Sequence, residues 1–337
     1  MIKIELEKHI ESEIRKLHLK YFNEKALPKL RKFINNKKGT EPEIEEERRF
    51  LRFLLKIRNQ LLLGSPYQLE KIMVHIHKNY SYELREKIKQ NKTKKRKASI
   101  LNSELRAVFN YDSFCKSDDI GKWCAYQLLQ LMNIQVCPYC NRQYISTIYT
   151  EQQKTRAQLD HFFDKATYPY LSISLYNLIP CCATCNSSLK GTSKFYVSKN
   201  IHPYVAGFGE SYKFTINLPD KIESLITNQG EIEISFKRNT EDLVFIEKAK
   251  RNVKSFLLDK LYNVHTHIVK ETIQKHIIYP EDYIESLLAS YPSIFTNKED
   301  VMRMIYSSEV NERKFNQRPF SKLITDISKE LQLKGRI

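Results

Sequence analysis

Cys137-Pro-Tyr-Cys140 and Cys182-Ala-Thr-Cys185 form two C-x-x-C knuckles. Each presents two thiolates from one tight turn, so the pair completes a tetrahedral zinc shell. Whatever lies between the knuckles must then fold as an insert stapled at its base by the metal. Four sulfurs leave no coordination position for water. Such a zinc is structural and contributes folding energy rather than catalysis. Cys181 is a spare neighbour of the second knuckle and an alternative register for its first ligand, whereas Cys115 and Cys124 lie outside the insert and read as core residues. Met1 to Lys20 alternates charges with single apolar residues and lacks the apolar core of a signal peptide. No export is expected, so a reducing cytoplasmic setting favours metal over disulfides for the cysteine cluster.

Around the insert the chain reads as mostly α. Glycine and proline are sparse, at 8 and 11 of 337 residues, and the flanks are rich in Leu, Ile, Lys and Glu. Leu6, Ile10, Ile14, Leu17 and Tyr21 recur every three to four residues, which predicts a helix from Ile2 to about Ala26. Further helices are expected over Glu43 to Leu63, Gln68 to Lys89 and Asp118 to Met132, separated by Gly and Pro breaks. Short β-prone runs follow at Gln143 to Tyr149 and Arg156 to Phe163. Tyr212 to Ile216 and Glu231 to Phe236 alternate apolar with polar residues and predict a hairpin. From Glu241 the pattern is helical again, broken at Pro280, Pro292 and Pro319. The expected organisation is an N-terminal helical region (1–134) with a basic linker near 90–98, a zinc-stapled α+β module (135–210), and a hairpin plus helical region (211–337).

The formal net charge of +17 creates a positive potential that attracts polyanions, with nucleic acid the foremost candidate. The run Lys92-Thr93-Lys94-Lys95-Arg96-Lys97 concentrates that charge. Lys94, Lys95, Arg96 and Lys97 are candidate phosphate contacts, or else a solvated face. No run of eighteen or more apolar residues occurs, so no membrane span is expected. The pairs His75/His77 and His265/His267 lie two apart on helical patterns, which points them to different faces and favours structural roles. His202 reads as a packing residue near the insert.

Within the insert, Leu159-Asp160-His161-Phe162 ends a β-prone run, Asn177 lies further along, and Asn186 directly follows the last knuckle cysteine. Staple and hairpin together are expected to bring Asp160, His161 and Asn186 to one place. These segments, with Tyr168-Pro169, Asn177-Leu178-Ile179-Pro180 and Lys190-Gly191, resemble a zinc-stapled HNH (ββα-metal) endonuclease. The resemblance is strongest to the HNH subunit of Septu-type anti-phage defence systems, which also occurs beside some retrons. It implies two strands and a helix around one divalent cation. By this resemblance Asp160 and Asn186 match the metal ligands, His161 the general base, and Asn177 the residue that fixes the loop and orients the base. The chain departs from the family at Asp164, where Pro is common, which leaves a further carboxylate in the loop.

The chemistry agrees with these assignments. A neutral imidazole accepts a proton from water at physiological pH, while Mg²⁺ or Mn²⁺ on hard oxygen ligands stabilises the leaving oxyanion. Arg142 and Lys190, beside the knuckles, are candidate phosphate contacts or ordinary solvated charges. The resemblance implies DNA as substrate and an ATPase partner. A non-cleaving zinc-stapled nucleic-acid-binding scaffold and a standalone restriction or mobile-element nuclease are the alternatives.

Overall fold

A computed structural model describes residues 1–89, 98–116, 121–217 and 231–333. It is mostly helical, with three two-stranded antiparallel sheets: β1 (Ile148–Tyr149) with β2 (Lys154–Thr155), β3 (Gln158–His161) with β4 (Leu178–Cys181), and β5 (Tyr212–Ile216) with β6 (Ile234–Arg238). The basic residues Lys94, Lys95, Arg96 and Lys97 lie outside the described residues. Among the described residues no helix is long and apolar enough to cross a membrane.

The first helix begins at Lys8 rather than Ile2. Residues 1–6 instead form an extended strap. Ile2 N–H donates to Pro138 O and Ile4 N–H to Pro203 O, while Met1 O accepts from Phe208 N–H. Met1, Ile2 and Ile4 are buried and Lys3 and Glu5 exposed, an alternation that belongs to extended chain. Tertiary backbone partners thus outweigh the helical spacing of the apolar residues. Gly207 makes the close approach feasible, since a Cβ there would stand 2.7 Å from Lys3 N. From Lys8 to Lys25 the helix runs as the periodicity requires and buries Ile14, His18 and Phe22.

The two long helices expected downstream are each divided. Pro42–Lys56 and Arg58–Leu63 meet at Ile57, and Pro66–Asn79 is separated from Tyr82–Ile88 by Tyr80 and Ser81. Local capping explains these boundaries. Ser65 and Gln68 form a capping box ahead of Pro66, while Ser81 Oγ accepts from Leu84 N–H and donates to Glu46. The short helices Ile100–Val108 and Tyr111–Cys115, capped by Ser99 and Asn110, were not marked by periodicity. The helix expected from Asp118 is described from Ala125 to Met132. The β5/β6 hairpin forms as expected, with Phe214 opposite Phe236. Helices Leu243–Ser255, Leu258–Asn263, Thr266–Ile278, Glu281–Ser290, Lys298–Tyr306 and Ser321–Leu333 complete the chain.

Residues from both flanks and the insert share one hydrophobic core, which includes Met1, Phe22, Phe109, Tyr139, Phe162, Phe256, Tyr262 and Leu331. A smaller cluster holds Ile284, Phe295, Val301, Ile305, Tyr306 and Ile324. His18 is sealed in the main core in a defined neutral tautomer. Its Nε2 donates to Ile173 O at 2.6 Å and its Nδ1 accepts from the Trp123 indole at 3.1 Å. Burial pulls His18 from 6.5 to about 4 and His202 to about 3. Both pKa values are depressed on folding, so their stabilisation is complete above pH 6.5 and is lost as pH falls from there towards those values. Each contributes a slope of about 1.4 kcal/mol per pH unit in that window. The melting temperature is therefore expected to fall markedly between pH 7 and pH 5, and His18→Gln to flatten that fall. An unchanged pH dependence in His18→Gln would show that His18 does not carry it.

Candidate functional site

The cysteine cluster is built from two turns, the second of which follows directly on β4. Cys137, Cys140, Cys182 and Cys185 are all buried, and their Sγ atoms lie within 4.8 Å of one another. A tetrahedral zinc with Zn–S near 2.3 Å needs sulfurs roughly 3.8 Å apart, so a small contraction suffices and the four can hold a metal such as zinc. Burial pushes the Cys137 thiol well above its ordinary value, and a dication would reverse that by favouring thiolate. The register is settled in favour of Cys182. Cys181 pairs opposite Gln158 in the β3/β4 ladder and stands outside the group. Cys124 is buried, as expected for a core residue, whereas Cys115 is only partly so.

The first knuckle also ties down the C-terminal region. Asn141 follows it in left-handed conformation, with φ of 48°. Its Nδ2 donates to Phe315 O and its Oδ1 accepts from Lys322 N–H. Tyr262 Oη donates to Cys140 O at 2.5 Å. Arg142 donates to His265 Nε2 at 3.0 Å and is half-buried. Of the other histidines, His75 stacks on Phe53, while His77 accepts from Arg85 through Nδ1. Neither these nor His265 and His267 belong to a metal-ligating group among the described residues.

β3 and β4 pair antiparallel, with Asp160 opposite Ile179 and His161 opposite Leu178, and β4 leads into a helical turn of π type at Thr184–Lys190. Successive strand residues face opposite sides, and the partners of Asp160 and His161 differ accordingly. Asp160 Oδ2 accepts from Tyr139 Oη at 2.7 Å and Oδ1 from Lys190 Nζ at 2.8 Å. Lys190 also donates to His161 O and lies over the Phe195 ring. At 3% exposure this lysine is interior, which corrects its placement among solvent-facing phosphate contacts: burial against Asp160 satisfies its charge. Asn186 shares the Asp160 face of β3, but its Nδ2 donates to Gln158 Oε1 at 2.8 Å. Asp160 and His161 thus belong to opposite faces of β3, and Asn186, in the helical turn after β4, bonds to Gln158 rather than to either of them.

This arrangement does not fit a divalent cation. Both Asp160 oxygens are engaged, one of them by an ammonium, and the only other expected ligand is bonded elsewhere. Asp164 is likewise spoken for, since its carboxylate accepts from Ala166 N–H, Thr167 N–H and Thr167 Oγ1 and so builds its own turn.

On the other face, His161 is oriented closely. Its Nε2 donates to Ser172 O at 2.8 Å, and the Tyr111 ring meets it edge-on at 4.4 Å between centroids. Nδ1 then carries the lone pair. Burial, reinforced by Lys165, pulls the imidazole down to about 3. Asn177 clamps the loop that supplies Ser172: its Oδ1 accepts from Phe163 N–H, and its Nδ2 donates to Phe163 O and Leu171 O. His202 packs against Phe162 at 4.1 Å, as expected of a packing residue. Tyr139, Tyr111 and Ser172 carry no signal in the sequence, because each acts through a tertiary contact with no local pattern.

Comparisons with protein-family models, with curated proteins and with solved structures returned no match. What fold and site define directly is a mostly helical protein with small antiparallel sheets and four buried cysteines able to hold a metal such as zinc.

Proposed function

We propose that this chain is a zinc-stapled nuclease of the HNH type that hydrolyses phosphodiester bonds in DNA, with His161 as general base. The observation that carries this reading is how His161 is held. Nε2 is fixed by Ser172 O, Asn177 anchors the intervening loop, and the neutral ring therefore carries its lone pair on Nδ1, the atom that would take a water proton. The low pKa fixes the free base at physiological pH, and an anionic phosphate alongside would raise it towards the range in which a base is effective. The order strand, strand, helical turn, closed by the cysteine cluster, agrees with the same reading. Mg²⁺ or Mn²⁺ belongs to the resemblance and requires Lys190 to leave Asp160. A role in anti-phage defence with an ATPase partner likewise rests on the resemblance.

One observation favours a second reading, a non-cleaving zinc-stapled nucleic-acid-binding scaffold: the lysine ion pair occupies the carboxylate that a catalytic cation would use. Cleavage of plasmid and single-stranded DNA by the zinc-loaded protein with Mg²⁺ or Mn²⁺ separates the two. His161→Ala is expected to lower the rate by about 10²–10⁴-fold while retaining zinc. A zinc-loaded wild type that cuts nothing, alone or with a partner ATPase, would leave the scaffold as the better account.

A further inference from the structure

A cleft of ≈ 340 Å³, lined by Arg106, Asn110, Tyr111, Asp112, Lys165 and Ser172 among others, adjoins the side of the hairpin occupied by the buried His161. Two of these residues belong to both places: Tyr111 packs its ring on His161, and Ser172 O receives the His161 hydrogen bond. The cleft is polar, and its two cations are exposed. Among the described residues neither Arg106 nor Lys165 forms an ion pair. Lys165 lies 4.4 Å above the Tyr111 ring, and Asp112 on the rim is the one carboxylate in the lining. A neighbouring basin shares Asn110 and Asp112 with this cleft and adds Lys20, Lys25 and Lys116, with Glu24 as a further acid. Lysines thus line the ground next to the cleft, Lys20 pairing there with Glu24.

We propose that Arg106 and Lys165 clamp consecutive phosphates of a nucleic-acid backbone in the cleft beside His161, and that the strand continues into the lysine-lined basin. The assignment deepens the nuclease reading and rests on it for the role of His161. It moves substrate contact away from Arg142 and Lys190, which are engaged with His265 and Asp160. An Arg fork and a Lys point charge on one cleft wall suit backbone phosphate, which carries no sequence information.

The test is fluorescence anisotropy with labelled single-stranded DNA, duplex DNA and single-stranded RNA. The whole zinc-loaded chain is used without added divalent cation and titrated at several salt concentrations. Arg106→Gln/Lys165→Gln is expected to weaken binding of the preferred probe about tenfold or more. For a single strand the double variant should also flatten the log K against log salt slope by about 1.4, at about 0.7 for each phosphate no longer neutralised. Arg251→Gln/Lys254→Gln removes the same charge from the exposed face of the helix Leu243–Ser255 and should do much less. Both cleft residues are exposed, so melting should be nearly unchanged, and Arg106→Lys/Lys165→Arg should restore most of the affinity. Equal losses in the two double variants, or a wild type that binds none of the probes, would overturn the clamp. Displacement of the strand by millimolar inorganic phosphate would overturn the backbone assignment in favour of a single-phosphate site. Strand binding abolished in the cleft variant of a protein that never cuts would keep the clamp and remove the nuclease. Cutting that depends on His161 but not on Arg106 or Lys165 would do the reverse.

Discussion

Serine in place of Cys137 is expected to yield a protein that no longer retains zinc and no longer melts as the wild type does. The four sulfurs are buried within 4.8 Å of one another, so losing one leaves three thiols in an apolar interior without the cation that makes thiolate tolerable there. Structural zinc sites contribute on the order of 10–16 kcal/mol of apparent binding free energy, comparable with the whole stability of an ordinary domain, about 5–15 kcal/mol. The loss should spread. Asn141 and the Cys140 carbonyl hold Phe315, Lys322 and Tyr262, so disordering the first knuckle releases the C-terminal helices from the insert. Zinc content by atomic absorption and melting with and without a chelator are the measurements, with Cys181→Ser as the control that should keep its metal. Stoichiometric zinc and an unchanged melting curve in Cys137→Ser would remove the staple from the account.

Removing the ammonium from Lys190 is the second large perturbation. Asp160 and Lys190 are each almost fully buried, so Lys190→Met strands a carboxylate with only the Tyr139 hydroxyl for company. Breaking a buried pair in this way costs about 3–5 kcal/mol, whereas Asp160→Asn/Lys190→Met removes both charges and should cost less than the sum of the single changes. Denaturant unfolding of the four proteins closes the cycle. The same variants bear on metal binding. If Asp160 is a cation ligand once Lys190 has moved, Mg²⁺ or Mn²⁺ should restabilise Lys190→Met and leave Asp160→Asn/Lys190→Met unaffected. A cation that stabilises neither would make Asp160 the anchor of Lys190 alone.

What the sequence conveyed and what it concealed follow from the range of the interactions. Two cysteines in one turn are a local pattern, and a closed shell needs four, so the knuckles were legible before any fold was known. The alternation of Phe214, Ile216, Ile234 and Phe236 is equally local, and the hairpin formed where it was expected. Helical content was legible for the same reason, but its boundaries were not: Ser81 ends one helical stretch and caps the next through a bond to Glu46, far away in sequence. The site was legible in its residue types and only partly in its geometry. Asp160 and His161 are adjacent in the chain yet belong to opposite faces of a strand, and the cation beside Asp160 arrives from a turn thirty residues on. Arg106, on a helix that periodicity did not mark, enters the cleft only because that helix packs beside the insert.

The strap formed by residues 1–6 has a consequence for how the molecule comes into being. Its partners are the backbone at Pro138, Pro203 and Phe208, so it cannot settle until the chain has been synthesised past residue 208. Contacts of such high sequence separation form slowly, and until they do Met1, Ile2 and Ile4 are exposed apolar residues on a nascent chain. Ile2 docks on the carbonyl of Pro138, inside the first knuckle, so the strap and the cysteine cluster share a seat. A metal held by the four cysteines would fix that seat, and the strap is then expected to close, and to resist proteases, sooner in its presence.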